Sequence, residues 1–234
     1  MTEEQILKRL EEVAERKARH IDYNYTCDLA RDYLAFVTGK GLDKMLKQFV
    51  RRESEAAFKQ RQDITTFVTS SVMSNLQAPF RKIFRANYRR ILDYQGDGDN
   101  DAKVQALEKL MVGFYANMSL DTWCNTRILE ANFTDPNAWV VAEWGAFDPR
   151  RENAQPYPFE VSSANAYDYG YDERGHLLYL IAASKVPGST KHERLTLYMK
   201  NRTVTIDETE DTRAEGVVGP IGGKYWVRTD LAPH

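Results

Sequence analysis

The sequence predicts an α+β fold, with a helical N-terminal half packed on a mostly antiparallel β-sheet. Three observations predict it. Up to about residue 134, apolar residues recur every three or four positions, the spacing of one helix face. From Ala138 onward they alternate, or run in short blocks between Gly, Pro and Asp turns, as strands do. The chain is 42% hydrophobic and 28% charged over 234 residues, enough for a packed core and unlike a disordered chain.

The elements follow in order. Thr2-Glu-Glu-Gln5 is a capping box, with Thr2 as N-cap and Gln5 three residues on. Ile6, Leu7, Leu10, Val13 and Ala14 continue at helical spacing, and the helix fades through Arg16–His20. Ile21 to Tyr25 reads as a connector. A second helix is predicted over Asp28–Val37, stopped by the glycines of Thr38-Gly-Lys-Gly41. Leu42, Met45, Leu46 and Phe49 form a short amphipathic set. The longest helix is predicted over Glu53–Leu76, with Ala57, Ile64, Phe67, Val68, Val72 and Leu76 as its inner stripe. Pro79 breaks an interior helix, so a new one is expected there, with Phe80, Ile83, Phe84, Tyr88 and Ile91 inward. Gln95–Asp101 is a turn, and Asn100 or Asp101 caps a helix carrying Val104, Leu107, Leu110, Met111 and Phe114. Ser119 caps the next helix, with Asp121 in its first turn and Leu120, Trp123, Cys124, Ile128 and Leu129 inward. Thr134-Asp-Pro-Asn137 ends it.

In the second half, Trp139–Trp144 reads as a strand buried in part on both faces. Tyr157–Val161 is extended, and Pro158 marks an edge or a strand start. Asp172-Glu-Arg-Gly175 is a hairpin turn. His176–Val186 and Arg194–Lys200 are strands joined around Pro187-Gly-Ser189, and Thr203–Ile206 and Tyr225–Arg228 are two more. An acidic loop and the glycine-rich Gly216–Gly223 lie between the last two, and no internal repeat is visible. The predicted organisation is a helical region over 1–117 and a helix-plus-sheet region over 118–234. Together they form one continuous domain. Asp230–His234 stops just after a strand, so the chain is expected to continue in a longer protein.

Charge is uneven. Lys40–Asp93 holds twelve Lys/Arg against five Asp/Glu, so this stretch carries +7 while the whole chain carries −2. A basic helical face and an acidic sheet follow, and Arg81, Lys82, Arg85, Arg89 and Arg90 are the candidates for phosphate contacts. Two distant cysteines, Cys27 and Cys124, give no metal spacing and suit a reducing compartment. No apolar run approaches the length of a membrane span, so no membrane partner is expected.

Catalytic signatures are not found, and an enzyme is not expected. Asp97, Asp99, Asp101 and Glu108 match positions 1, 3, 5 and 12 of a calcium loop, but Ala102 stands where the sharp turn requires glycine. His20, His176, His192 and His234 show neither HxxxH nor HExxH spacing. Gly216–Gly223 precedes a strand, whereas a phosphate cradle needs a helix N-terminus behind it. Glu143, Glu160 and Asp168 could be assembled into a carboxylate pair, as any acidic sheet allows. Trp139, Trp144, Tyr157, Tyr167, Tyr169 and Tyr171 could line a stacking platform, or simply pack. No cofactor is implied.

At Met45-Leu-Lys-Gln-Phe49, Arg52-Glu53, Phe58-Lys-Gln-Arg61 and Pro79-Phe-Arg-Lys-Ile-Phe84 the chain resembles the portal proteins of tailed double-stranded DNA phages. The likeness continues at Ser119-Leu-Asp-Thr-Trp123, through Trp139–Trp144, and at Pro156-Tyr-Pro-Phe159 ahead of an Asn165-containing strand. It spans about Leu42 to Ala183 as patterns of residue type and order. The resemblance implies the peripheral wing of a structural protein that assembles with itself into a dodecameric ring at one capsid vertex. Such a ring would assemble in the bacterial host cytoplasm, meet capsid, scaffold and terminase proteins, and pass DNA with non-specific contacts. The departure is that the stem helix and clip of a portal have no room after His234. The alternative expectation is a stand-alone adaptor or glycan-binding module that uses the aromatic sheet.

Overall fold

The computed structural model describes residues 1–38, 46–49, 51–83, 105, 108, 111–113, 118–144 and 156–231. The fold is α+β. Helices α1 (Glu3–Ala14), α2 (Tyr23–Thr38) and α3 (Glu55–Ile83) come first. The short α4 (Leu120–Trp123) follows, then a π-helical stretch (Cys124–Ile128) and α5 (Leu129–Thr134). Among the described residues eight strands come next: β1 (Trp139–Trp144), β2 (Pro156–Val161), β3 (Ala166–Tyr171), β4 (Leu177–Lys185), β5 (Glu193–Met199), β6 (Arg202–Thr209), β7 (Val217–Ile221) and β8 (Lys224–Leu231). Strands β1 and β2 form a two-stranded sheet. The others form a six-stranded sheet of order β3-β4-β5-β6-β8-β7, antiparallel throughout.

Two compact units emerge. One joins Met1–Cys27 to Val161–His234, and the other is Asp28–Glu160. This division does not follow the expected boundary at 117/118, because the first helix belongs with the large sheet. In that unit, Tyr179, Ile181 and Ala183 of β4 lie beside Leu195 and Leu197 of β5 and Val204 and Ile206 of β6, all on one face. The stripe Ile6, Leu10, Val13 and Ala14 of α1 closes over them, with Trp226 of β8 in the same cluster. On the opposite face Leu180, Ala182, Thr196 and Thr205 are buried, and Arg194 grips Asp207 across β5 and β6 at 2.6 and 2.5 Å.

Helix α1 starts and stops by recognisable chemistry. The Thr2/Gln5 capping box forms in both directions. The C-terminus is a Schellman motif: the N–H of Lys17 donates to the Glu12 carbonyl at 3.0 Å, and that of Arg16 donates to the Val13 carbonyl at 2.9 Å. Arg16 takes the left-handed position at φ 58°, where glycine is usual. The β7–β8 turn abuts this end. A Cβ on Gly222 would lie 3.1 Å from the Glu15 Cα, so only glycine fits without displacing backbone.

Several expectations are corrected. Helix α2 starts at Tyr23, so Tyr23–Tyr25 is helical rather than connector. Leu46–Phe49 is not helical, while Leu42 and Met45 lie outside the described residues. Helix α3 runs 29 residues straight through Pro79, which starts no new helix. Asn75 and Pro79 are both exposed, so the carbonyl left unpaired one turn earlier meets water. Ala57 and Ile64, expected inward, are exposed, Ile64 at 63%. Strand β1 carries exposed Val140 and Ala142 between half-buried Trp139 and Val141, so it alternates rather than burying both faces. The glycine-rich segment, expected to lie between two strands, itself holds one, β7.

The edges of the large sheet are irregular. Strand β3 pairs with β4 through two register shifts. Strand β7 is five residues long, contains Pro220, and has one shift of its own.

Candidate functional site

The site is assembled by the segment that leads into α3. Ser54 caps the helix: its Oγ accepts from the Ala57 N–H at 3.2 Å, and Glu55 adds an acidic side chain in the first turn. The turn before it closes when the Glu53 N–H donates to the Phe49 carbonyl at 2.9 Å. That turn brings the Glu53 side chain back over the helix start. Its Oε2 accepts from the Phe49 N–H at 3.1 Å, and Gln48 Nε2 donates to the Glu53 carbonyl at 3.1 Å.

Arg61, two turns into α3, completes the arrangement. Its Nε and Nη2 each donate to one oxygen of Glu53 at 2.8 Å, a bidentate fork, and Nη2 also donates to the Lys47 carbonyl at 2.8 Å. The guanidinium lies 4.8 Å from the Phe49 ring centre and 5.2 Å from that of Phe58. The Arg61 hydrogen bonds, followed by the Phe49 N–H, hold the Glu53 carboxyl below the usual carboxylate range, and Glu53 in turn raises the Arg61 guanidinium. Beside this pair is an open depression of about 570 Å³ lined by Phe49, Arg52, Glu53, Ser54, Ala57 and Arg61. Arg52 is exposed, and Phe49 is 63% exposed although its ring is held against Arg61.

The residues singled out from sequence fare differently. Lys82 is exposed on the last turn of α3 and Arg81 is helical, while Arg85, Arg89 and Arg90 lie outside the described residues. Of the calcium-loop candidates only Glu108 is described, helical and exposed, whereas Asp97, Asp99 and Asp101 lie outside. Among the described residues, no group of three His, Cys, Asp or Glu side chains could hold a metal, and no helix is long and apolar enough to cross a membrane. His20 stacks on Tyr169 at 3.7 Å, His176 pairs with Asp172, and His192 stands 3.9 Å from Glu210.

Asp168, proposed as one of a carboxylate pair, is sealed inside the six-stranded-sheet unit at 1% exposure. It accepts from Arg9 Nε at 2.6 Å and from the Tyr179 hydroxyl at 3.1 Å, so it ties α1 to the sheet. Tyr167, Tyr169 and Tyr171 of the aromatic platform make their contacts within the six-stranded-sheet unit. Arg19 lies 3.8 Å over the Tyr167 ring, the Tyr167 hydroxyl donates to Glu193 at 2.7 Å, and Tyr23 meets Tyr167 edge-on. Tyr169 lies between His20 and Tyr171.

No protein-family model matches this chain, and no curated protein is similar to it. Of the residues behind the portal resemblance, Phe49, Glu53, Phe58 and Arg61 form one cluster. The signal was present: a Ser helix cap, an acid just before it, and Arg one helix face on at Ser54 to Arg61, two turns apart.

Proposed function

We propose that this chain is the wing-like part of a phage portal-type protein, a structural component of the ring at the capsid vertex through which DNA is packaged and ejected. The observation that carries the reading is the cluster at the start of α3. Residues that bear the resemblance only as a pattern of type and order turn out to need one another. Glu53, Arg61 and the two phenylalanines set the start of a 29-residue helix. The second half of the resemblance has similar support, because the helical stretch capped by Ser119 leads through α5 directly into β1. Its partners in this reading are further copies of itself, capsid, scaffold and terminase proteins, and DNA through non-specific contacts.

The test is self-association of the gene's complete product. Light scattering and negative-stain electron microscopy are expected to show closed rings, and Glu53→Gln is expected to reduce their yield. A complete product that stays monomeric at every concentration examined overturns the reading.

A further inference from the structure

We infer that the depression beside Arg61 docks a short acidic segment of a partner protein, one that carries an apolar side chain next to its carboxylate. The argument starts from how the groups are committed. Glu53 and the Lys47 carbonyl use Nε and Nη2 of Arg61, so this cation is anchored and serves as a platform. Its guanidinium lies 4.8 Å from the Phe49 ring centre, and that ring stays 63% exposed. An ordered, exposed aromatic beside an arginine is the composition of interface anchors, because little side-chain entropy remains to be lost on binding. Arg52 supplies the charge. It lines the depression, is exposed, and appears in none of the ion pairs among the described residues. Lys47, Arg51 and Lys59 are exposed close by in the chain, against Glu53 and Glu55. Since Arg61 neutralises Glu53, the local field favours an anion.

The shape argues for a peptide over a nucleic acid. A phosphate backbone is gripped by cations spread along a track, with one contact per nucleotide or so. Here the groups converge on one hollow with Phe49 and Ala57 in its wall, which suits a single carboxylate and an adjoining apolar group. The inference does not depend on ring formation.

An array of short synthetic peptides tests it, each with one Asp or Glu beside Leu, Phe or Trp in a Ser/Gly background. Matched peptides carry Asn or Gln instead, and a duplex DNA oligonucleotide is run alongside. The acidic–apolar peptides are expected to bind saturably and their amide analogues are not. Arg52→Glu is expected to weaken binding by about tenfold or more, and Phe49→Ala by about fivefold. Circular dichroism checks that both variants fold. No peptide binding, equal binding of acids and amides, or equal binding by folded Arg52→Glu overturns the inference. So does DNA that binds more tightly than any peptide and responds to the same two substitutions.

Discussion

Arg9 and Asp168 lie 159 residues apart in sequence and 2.6 Å apart in the fold. Asp168 sits at 1% exposure, so its charge requires a partner, and Arg9 supplies it along with the Tyr179 hydroxyl. The hydrogen bond to Asp168 holds the Arg9 guanidinium above its ordinary value. Removing one member of such a pair leaves a buried charge with only a phenol to meet it. Arg9→Ala is expected to destabilise the chain by about 3 kcal/mol, and Arg9→Ala with Asp168→Asn by clearly less than the two single losses together; urea unfolding of the three variants measures both. The tyrosines near this network titrate late. Burial first, then the charge of Asp168 and its hydrogen bond, pushes Tyr179 up to about 12. Burial, then the bond to Glu193, does the same for Tyr167. A raised folded-state value stabilises fully below the unfolded tyrosine value of about 10 and loses that contribution as the pH climbs to about 12. Tyrosinate absorbance is expected to lose a group that titrates near 12 in Tyr179→Phe.

At the scale of elements, what the sequence made legible was what local chemistry decides. The Thr2 and Ser119 caps, the stripe of α1 and the turn at Asp172–Gly175 depend on neighbours within a few residues, and they form as read. The misreadings came where tertiary context or solvent decides. Pro79 removes a donor where Asn75 and Pro79 are both exposed, so water can take up the freed carbonyl and the helix continues through it. Strand β7 carries Gly219 and Pro220 side by side, and it forms because β8 offers it a ladder, which no local pattern announces. The C-terminus of α1 is a further case. Arg16 fills a left-handed position for which only its place in a Schellman motif accounts. Arg16→Gly is therefore expected to stabilise the chain by about 0.5–1 kcal/mol, read as a higher unfolding midpoint at an unchanged slope. A lower midpoint would mean that the Arg16 side chain contributes more than its backbone strain costs.

For the molecule as a whole, the α+β class was readable from periodicity alone, because the change from helical spacing to alternation falls near residue 138. The division into units was not. Helix α1 reads as part of a helical half, and only the match between its apolar stripe and the face of β4, β5 and β6 assigns it to the sheet. The cluster around Arg61 was half legible: its residues stood out, but their mutual contacts depend on the turn at Phe49–Glu53. The irregular margins of the large sheet bear on something else, the behaviour of the protein when it is crowded. A smooth, long outer strand is a template onto which other chains add without limit. Pro220 removes a donor from β7 at its outer margin, that strand is only five residues long, and register shifts disturb β3 at the other margin. Both margins thus discourage uncontrolled stacking of this sheet into fibrils.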